Sequence, residues 1–233
     1  MSDPMNPYAS PLVEETLAPG AQWVREMSPS LRRTGLGLSI EYYAILLSIL
    51  SFLGMGVAVG TRSLPAMGIA GFAILAAALI GFIGLLVCLA VPAESGAKGF
   101  LLGSVVFQLA NVGYAIITQF VPVTSPVLNG VLQLLGLVGF VLFTLFMKKL
   151  SEFIGRTDLA QKARNVLIGM VILIGIAVVA VAGMAAAGTA TAGAAAGMAA
   201  VALLMFVVLI GGLVLFVMYA NLVNWLGKAL RKV

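Results

Sequence analysis

Apolar and polar positions in this chain alternate on the scale of whole helices. Uncharged, strongly apolar runs cover 42–61, 63–93, 99–147 and 165–227, separated by short clusters of charge, Gly and Pro. A helix needs about 20 apolar residues to cross a bilayer, so the two longest runs each have room for two crossings. Breakers place the turns. They are "GTRSLP" (60–65), "VPAESGAKG" (91–99), "VPVTSPVLNG" (121–130) and the Gly/Ala/Thr tract "GTATAGAAAG" (188–197). The pattern predicts six helices, near 36–59, 66–91, 99–121, 127–147, 165–187 and 198–224. A β-barrel does not fit. Its strands alternate apolar and polar residues over about ten positions, whereas these runs are apolar on every face.

Composition agrees with the pattern. Hydrophobic residues make up 62% of the chain and charged residues 9%, with a mean hydropathy of +1.15. A soluble domain carries about a quarter charged residues, so this chain has too few to coat a globular surface. The expected fold class is an all-α integral membrane protein, a six-helix transmembrane bundle. Its expected divisions are a Pro-rich disordered tail with an interfacial segment (1–35), a six-span domain (36–224) and a basic tail (225–233). The first apolar run follows a polar tail with no basic n-region or cleavage site, so the first span is expected to stay in the protein as a signal anchor.

Charge sets the expected orientation. With six spans, one side receives the N-terminal tail, 92–98, 148–164 and the C-terminus, and with them 12 of the 13 basic residues. The other side holds only Arg62. Basic loops favour the cytoplasmic side, so both termini are expected in the cytoplasm and the protein in a cytoplasmic (inner) membrane. The sequence pI near 9.6 then follows from topology and needs no nucleic-acid partner. The partners expected instead are a bilayer with anionic headgroups and, within the membrane, other proteins or further copies of the chain.

The even spacing suggests a repeat. Entries into the odd spans read "RTGLGL" from Arg33, "KGFLLG" from Lys98 and "RNVLIG" from Arg164. Exits from the even spans read "GFIGLLVCLAVPAESGAK" from Gly81, "GFVLFTLFMKKLSEFIGR" from Gly139 and "GLVLFVMYANLVNWLGK" from Gly212. Each exit closes with a polar residue four before a basic one: Glu94/Lys98, Glu152/Arg156 and Asn224/Lys228. That spacing puts the partners on one helical face. The expectation is three tandem hairpins repeated about the membrane normal, as some transporters are built.

One apolar run is interrupted by amides. In "SVVFQLANVGYAIITQF" (104–120), Ser104, Gln108, Asn111, Ala115 and Thr118 or Gln119 share one helical face. Unsatisfied amides in hydrocarbon are costly, so this face is expected to point into the bundle. Its favoured role is hydrogen bonding between helices, and its alternative role is lining a path for a polar solute. Glu41, in "SIEYYAILL", is the one charged residue well inside a span. Intramembrane acids are functional candidates, but Glu41 reads as shallow and able to reach headgroup water or a nearby base. It ranks second to the stripe.

Small residues at four-residue spacing, Gly56/Gly60 and Ala73/Ala77/Gly81, together with the tract 182–200, predict close helix packing. Trp23 and Trp225, each near basic residues, read as interfacial anchors against anionic headgroups. Cys88 is the single cysteine, expected as a buried small residue.

The stretch "NPYASP" (6–11) resembles the NPYxxP-type tags that open many uncharacterised bacterial multispan inner-membrane proteins. The resemblance implies a bacterial membrane protein and carries no activity with it.

The chain has no His, and its aspartates are Asp3 and Asp158, outside the predicted spans. Haem, zinc and His-based catalysis lose their commonest group, and no phosphate-binding loop or dinucleotide fingerprint is present. No enzyme activity, catalytic residue, metal or cofactor is expected. The function favoured by the sequence is a membrane scaffold or accessory subunit that works through helix association. The alternative is a small transporter or channel for a polar neutral solute, lined by the 104–119 stripe.

Overall fold

In the computed structural model, residues 28–120, 126–187 and 194–232 are described. Among them are six long helices: α1 (Ser28–Gly60), α2 (Leu64–Cys88), α3 (Lys98–Phe120), α4 (Pro126–Phe153), α5 (Thr157–Ala187) and α6 (Ala194–Arg231). A single 3-10 turn, Ala93–Ser95, lies between α2 and α3. Over their described residues α1, α2 and α5 and the greater part of α4 and α6 are each long and apolar enough to cross a membrane. Helix α3, some of whose side chains lie outside the described residues, is not among these five. The fold is therefore an all-helical bundle with membrane-type helices.

The helices run past the apolar stretches that revealed them. Helix α1 begins at Ser28, α4 continues to Phe153, α5 begins at Thr157 and α6 continues to Arg231. Arg, Lys, Glu and Gln are good helix formers, so the hydrogen-bond ladder extends through the charged segments. Hydropathy marks the hydrocarbon and misses these polar turns. Residues 225–231, expected as a tail, are the last two turns of α6. The "NPYASP" motif and Trp23 lie outside the described residues, as does the 188–193 stretch of the Gly/Ala/Thr tract.

Local chemistry explains the turns. Thr61 Oγ1 donates to the carbonyl of Val57 as α1 ends. Arg62 adopts φ 54°, and Ser63 caps α2 by accepting from the Ala66 N–H, with Pro65 in the first turn. Ser95 Oγ donates to the Pro92 carbonyl and accepts from the Ala97 N–H, bridging the α2–α3 link. Gly155 at φ 72° ends α4 in a left-handed conformation that suits glycine. The same turn corrects an expected pairing. Glu152 does not reach Arg156 but pairs back along α4 with Lys148 and Lys149. Arg156, carried beyond Gly155, makes a two-pronged bond with Asp158, both contacts at 2.8 Å.

Sequence-adjacent helices pair most extensively within the hairpins α1/α2, α3/α4 and α5/α6. The α2/α3 and α4/α5 contacts and a broad α6/α1 contact complete a ring. Glycines set the tightest approaches. A Cβ on Gly37 would lie 2.6 Å from the Gly84 carbonyl oxygen and 2.7 Å from Cys88 Sγ, so α1 and α2 touch backbone to backbone. Gly35 meets Gly227 in the same way where α6 closes on α1, with a Cβ on Gly35 only 3.0 Å from the Gly227 oxygen. Gly56 and Gly60, expected at a close contact, face open space instead. Four-residue spacing identifies a small face but cannot say whether a neighbour occupies it.

Packing is uneven along the bundle. The fully buried large side chains, among them Leu31, Leu38, Leu85, Phe143, Phe146, Leu222 and Leu226, lie toward the end that gathers the N-terminus of α1 and the C-terminus of α6. Every described Lys and Arg except Arg62 belongs to that end. Further along, the outer faces bear exposed Leu50, Phe52, Val57, Phe72, Val171 and Leu209. An apolar surface of this extent suits lipid and would be untenable in water.

Candidate functional site

A cleft with a mostly apolar lining and a few polar groups opens where the tightly packed end gives way. It has a volume of about 250 Å³, and its polar lining consists of Glu41 and Ser48 from α1, Gln108 from α3 and Tyr219 from α6. Small residues of α2 make the space. Ala77 is buried beside it, and Gly81 faces the carboxylate so closely that a Cβ there would lie 3.1 Å from Glu41 Oε2.

Glu41 is more enclosed than its sequence position suggests. Helix α1 begins at Ser28, so at 1.5 Å per residue Glu41 lies about 20 Å along it. The residue is 7% exposed, and its Oε2 is the one buried side-chain oxygen or nitrogen without a hydrogen-bond partner among the described residues. Arg32 and Arg33, the bases nearest to it in the sequence of α1, make no ion pair with it. Tyr219, 3% exposed, is held by Phe140 and Phe143 at ring-centroid distances of 4.3 and 6.3 Å. Ser48 Oγ donates to the Ala44 carbonyl, which leaves its own lone pairs to accept.

The expected stripe on α3 divides into two roles. Ser104 is fully buried and donates across to the Gly139 carbonyl of α4 at 2.9 Å, a helix-to-helix bond. Asn111 also faces α4. Its Nδ2 would lie 3.3 Å from a Cβ on Gly136, and it donates to the Phe107 carbonyl of its own helix. Gln108, between them, borders the cleft with Glu41. Thr118 and Gln119 lie in α3, but their side chains fall outside the described residues.

Bringing Glu41, Gln108 and Tyr219 to one cleft requires α6 to close on α1, which no local pattern in the sequence announces. Tyr219 and Ser48 were therefore not singled out from sequence. A usable signal was the pair Gly81 and Gly84 in α2, opposite the one intramembrane acid. Cys88 is buried as expected, its Sγ 3.6 Å from the Thr34 carbonyl across the α1/α2 contact.

A second recess, of about 230 Å³, lies at the basic end between the start of α5 and the end of α6, lined by Lys162, Lys228, Lys232, Trp225 and the Arg156–Asp158 pair. Lys162 Nζ stands 3.8 Å from the centre of the Trp225 ring, a cation–π contact that orients both groups. Trp225 is 42% exposed, and its neighbours carry excess positive charge. The arrangement suits the boundary between hydrocarbon and headgroups.

Compared with known proteins, the chain matches no protein family, no curated protein and no solved structure.

Proposed function

We propose that this chain is a six-span protein of a bacterial inner membrane, with both termini in the cytoplasm, whose Glu41–Gln108 cleft binds a small polar solute and lets it pass. The observation that carries this reading is Glu41 Oε2, buried in a cleft and left without a partner. A buried polar group deprived of its partner costs about 1–3 kcal/mol, and more when charged. A purely structural residue would gain nothing from that cost, whereas a binding residue recovers it when the solute arrives. The segregation of basic residues supports the orientation. Lys162, Trp225, Lys228 and Lys232 would rest against anionic headgroups. We assign no catalytic residue, metal or cofactor.

The second reading is the scaffold or accessory subunit, built from hairpin repeats and acting through helix association with partner proteins or further copies. The Ser104–Gly139 bond and the seating of Asn111 against Gly136 favour it, because that part of the stripe serves packing. It predicts a cleft that no solute enters.

Osmotic swelling of proteoliposomes separates the two even while the substrate is unidentified. With a panel of small polar solutes of either charge and none, the solute-passage reading predicts faster swelling than in protein-free vesicles for at least one solute. Gly81→Leu, which drives a side chain at Glu41, abolishes that difference. Swelling no faster than in protein-free vesicles for every solute overturns the reading and favours the scaffold.

A further inference from the structure

We infer that the solute held by this cleft is a compact organic cation of the substituted-ammonium type, held between the Glu41 carboxylate and an aromatic wall. The inference rests on reading the cleft as a solute site and deepens it by naming the chemical class.

The first observation is the balance of charge. Glu41 is the only charged side chain lining the cleft among the described residues, and no Lys or Arg borders it. A carboxylate in a membrane interior is costly unless something positive meets it, and among the described residues no cation does so. The second observation is the wall. Phe140, Phe216 and Tyr219 line the same space, and Phe52, largely exposed on α1, borders it. Aromatic faces attract cations through the ring quadrupole, and aromatic side chains are the groups that recognise quaternary ammonium ions. A neutral sugar or alcohol would call for many donors and acceptors, and besides Glu41 this lining offers Gln108, Ser48 and the Tyr219 hydroxyl.

The third observation separates an organic cation from a metal ion. Hard metal ions take six or more oxygen ligands in the case of Ca²⁺, or an octahedral set in the case of Mg²⁺. Among the described residues no three His, Cys, Asp or Glu side chains come together. One carboxylate with aromatic walls is a poor metal site and a good ammonium site. Size limits the ligand as well. At about 250 Å³ the cleft lies below the 300–1,000 Å³ span of drug-sized pockets, which favours a small head such as trimethylammonium.

The test is calorimetric titration of the full-length protein in nanodiscs with choline and with 3,3-dimethylbutan-1-ol, its uncharged isostere. Choline is expected to bind and the alcohol not. Glu41→Gln, close in shape, is expected to weaken choline binding by a factor of about thirty or more, as truncation of one partner of a buried charge pair does. Gly81→Ala keeps the carboxylate but narrows its approach and should weaken choline binding too, so a folding failure of either variant leaves the other informative. Equal binding of both ligands, no choline binding, or unchanged affinity in the folded Glu41→Gln variant overturns the cation assignment. If neutral solutes still drive swelling, the passage reading survives that failure; if nothing binds and nothing swells the vesicles, both fail.

Discussion

The α1/α2 contact allows a sharp test of how the bundle holds together. Replacing Gly37 by Ala places a methyl carbon 2.6 Å from the Gly84 oxygen, 2.7 Å from Cys88 Sγ and 2.8 Å from the Cys88 nitrogen. Two of the three obstacles are backbone atoms, so the strain cannot be relieved by rotating a side chain. The helices have to separate. Overpacking by a single carbon typically costs about 1–3 kcal/mol, and the backbone obstruction puts this case at the upper end. For a chain of this length each kcal/mol moves the melting temperature by about 2–4 °C, so a loss of about 6–12 °C is expected. The protein carries its own reporter. Cys88 is the single thiol in the chain and is buried at this contact, so a thiol-reactive fluorescent dye added during heating lights up when α1 and α2 part. Gly56→Ala is the control, since a Cβ there meets open space. A melting temperature for Gly37→Ala equal to that of Gly56→Ala would refute the backbone-to-backbone contact.

Other perturbations give equally definite outcomes. Ser104→Ala removes the bond to the Gly139 carbonyl; interhelical bonds of this kind average about 0.6 kcal/mol in membranes, so the same dye assay should show a loss of a few degrees at most. Trp225→Ala with Lys162→Ala removes the cation–π pair at the basic end. Native mass spectrometry of the detergent-solubilised protein should then show less retained phosphatidylglycerol and unchanged phosphatidylcholine, whereas an equal loss of both would contradict a headgroup role. Alkaline phosphatase fused after Lys232 should be inactive and green fluorescent protein there bright, if the basic end faces the cytoplasm; the reverse pattern inverts the proposed orientation.

Much of the architecture was legible because it depends on local pattern. Helix positions followed from apolar runs, and turns such as Gly60–Leu64 followed from Gly, Ser and Pro. The face of α3 that turns inward followed from the spacing of Ser104, Gln108 and Asn111. What was not legible depends on which helices meet. Gly56 and Gly35 look alike in sequence, yet only Gly35 has α6 against it. Glu41 read as open to headgroup water or a base because its own segment cannot show that α2 and α6 enclose it. Glu152 was matched with Arg156 by spacing alone, and the left-handed turn at Gly155 separated them. The cleft combines all of these limits. Its lining comes from α1, α2, α3, α4 and α6, so it exists only once the ring is closed.

In the proposed protein a polar solute reaches Gln108 while its neighbours on α3 stay sealed in helix contacts. Thiol labelling tests this most directly. In a Cys88→Ala background, Gln108→Cys and Asn111→Cys variants in native vesicles are exposed to a small charged methanethiosulfonate reagent. Gln108→Cys is expected to react, Asn111→Cys against Gly136 is not, and Gly81→Leu is expected to slow the reaction at position 108. No reaction at position 108 in a folded variant would contradict solute access to Gln108 and return the whole stripe to packing.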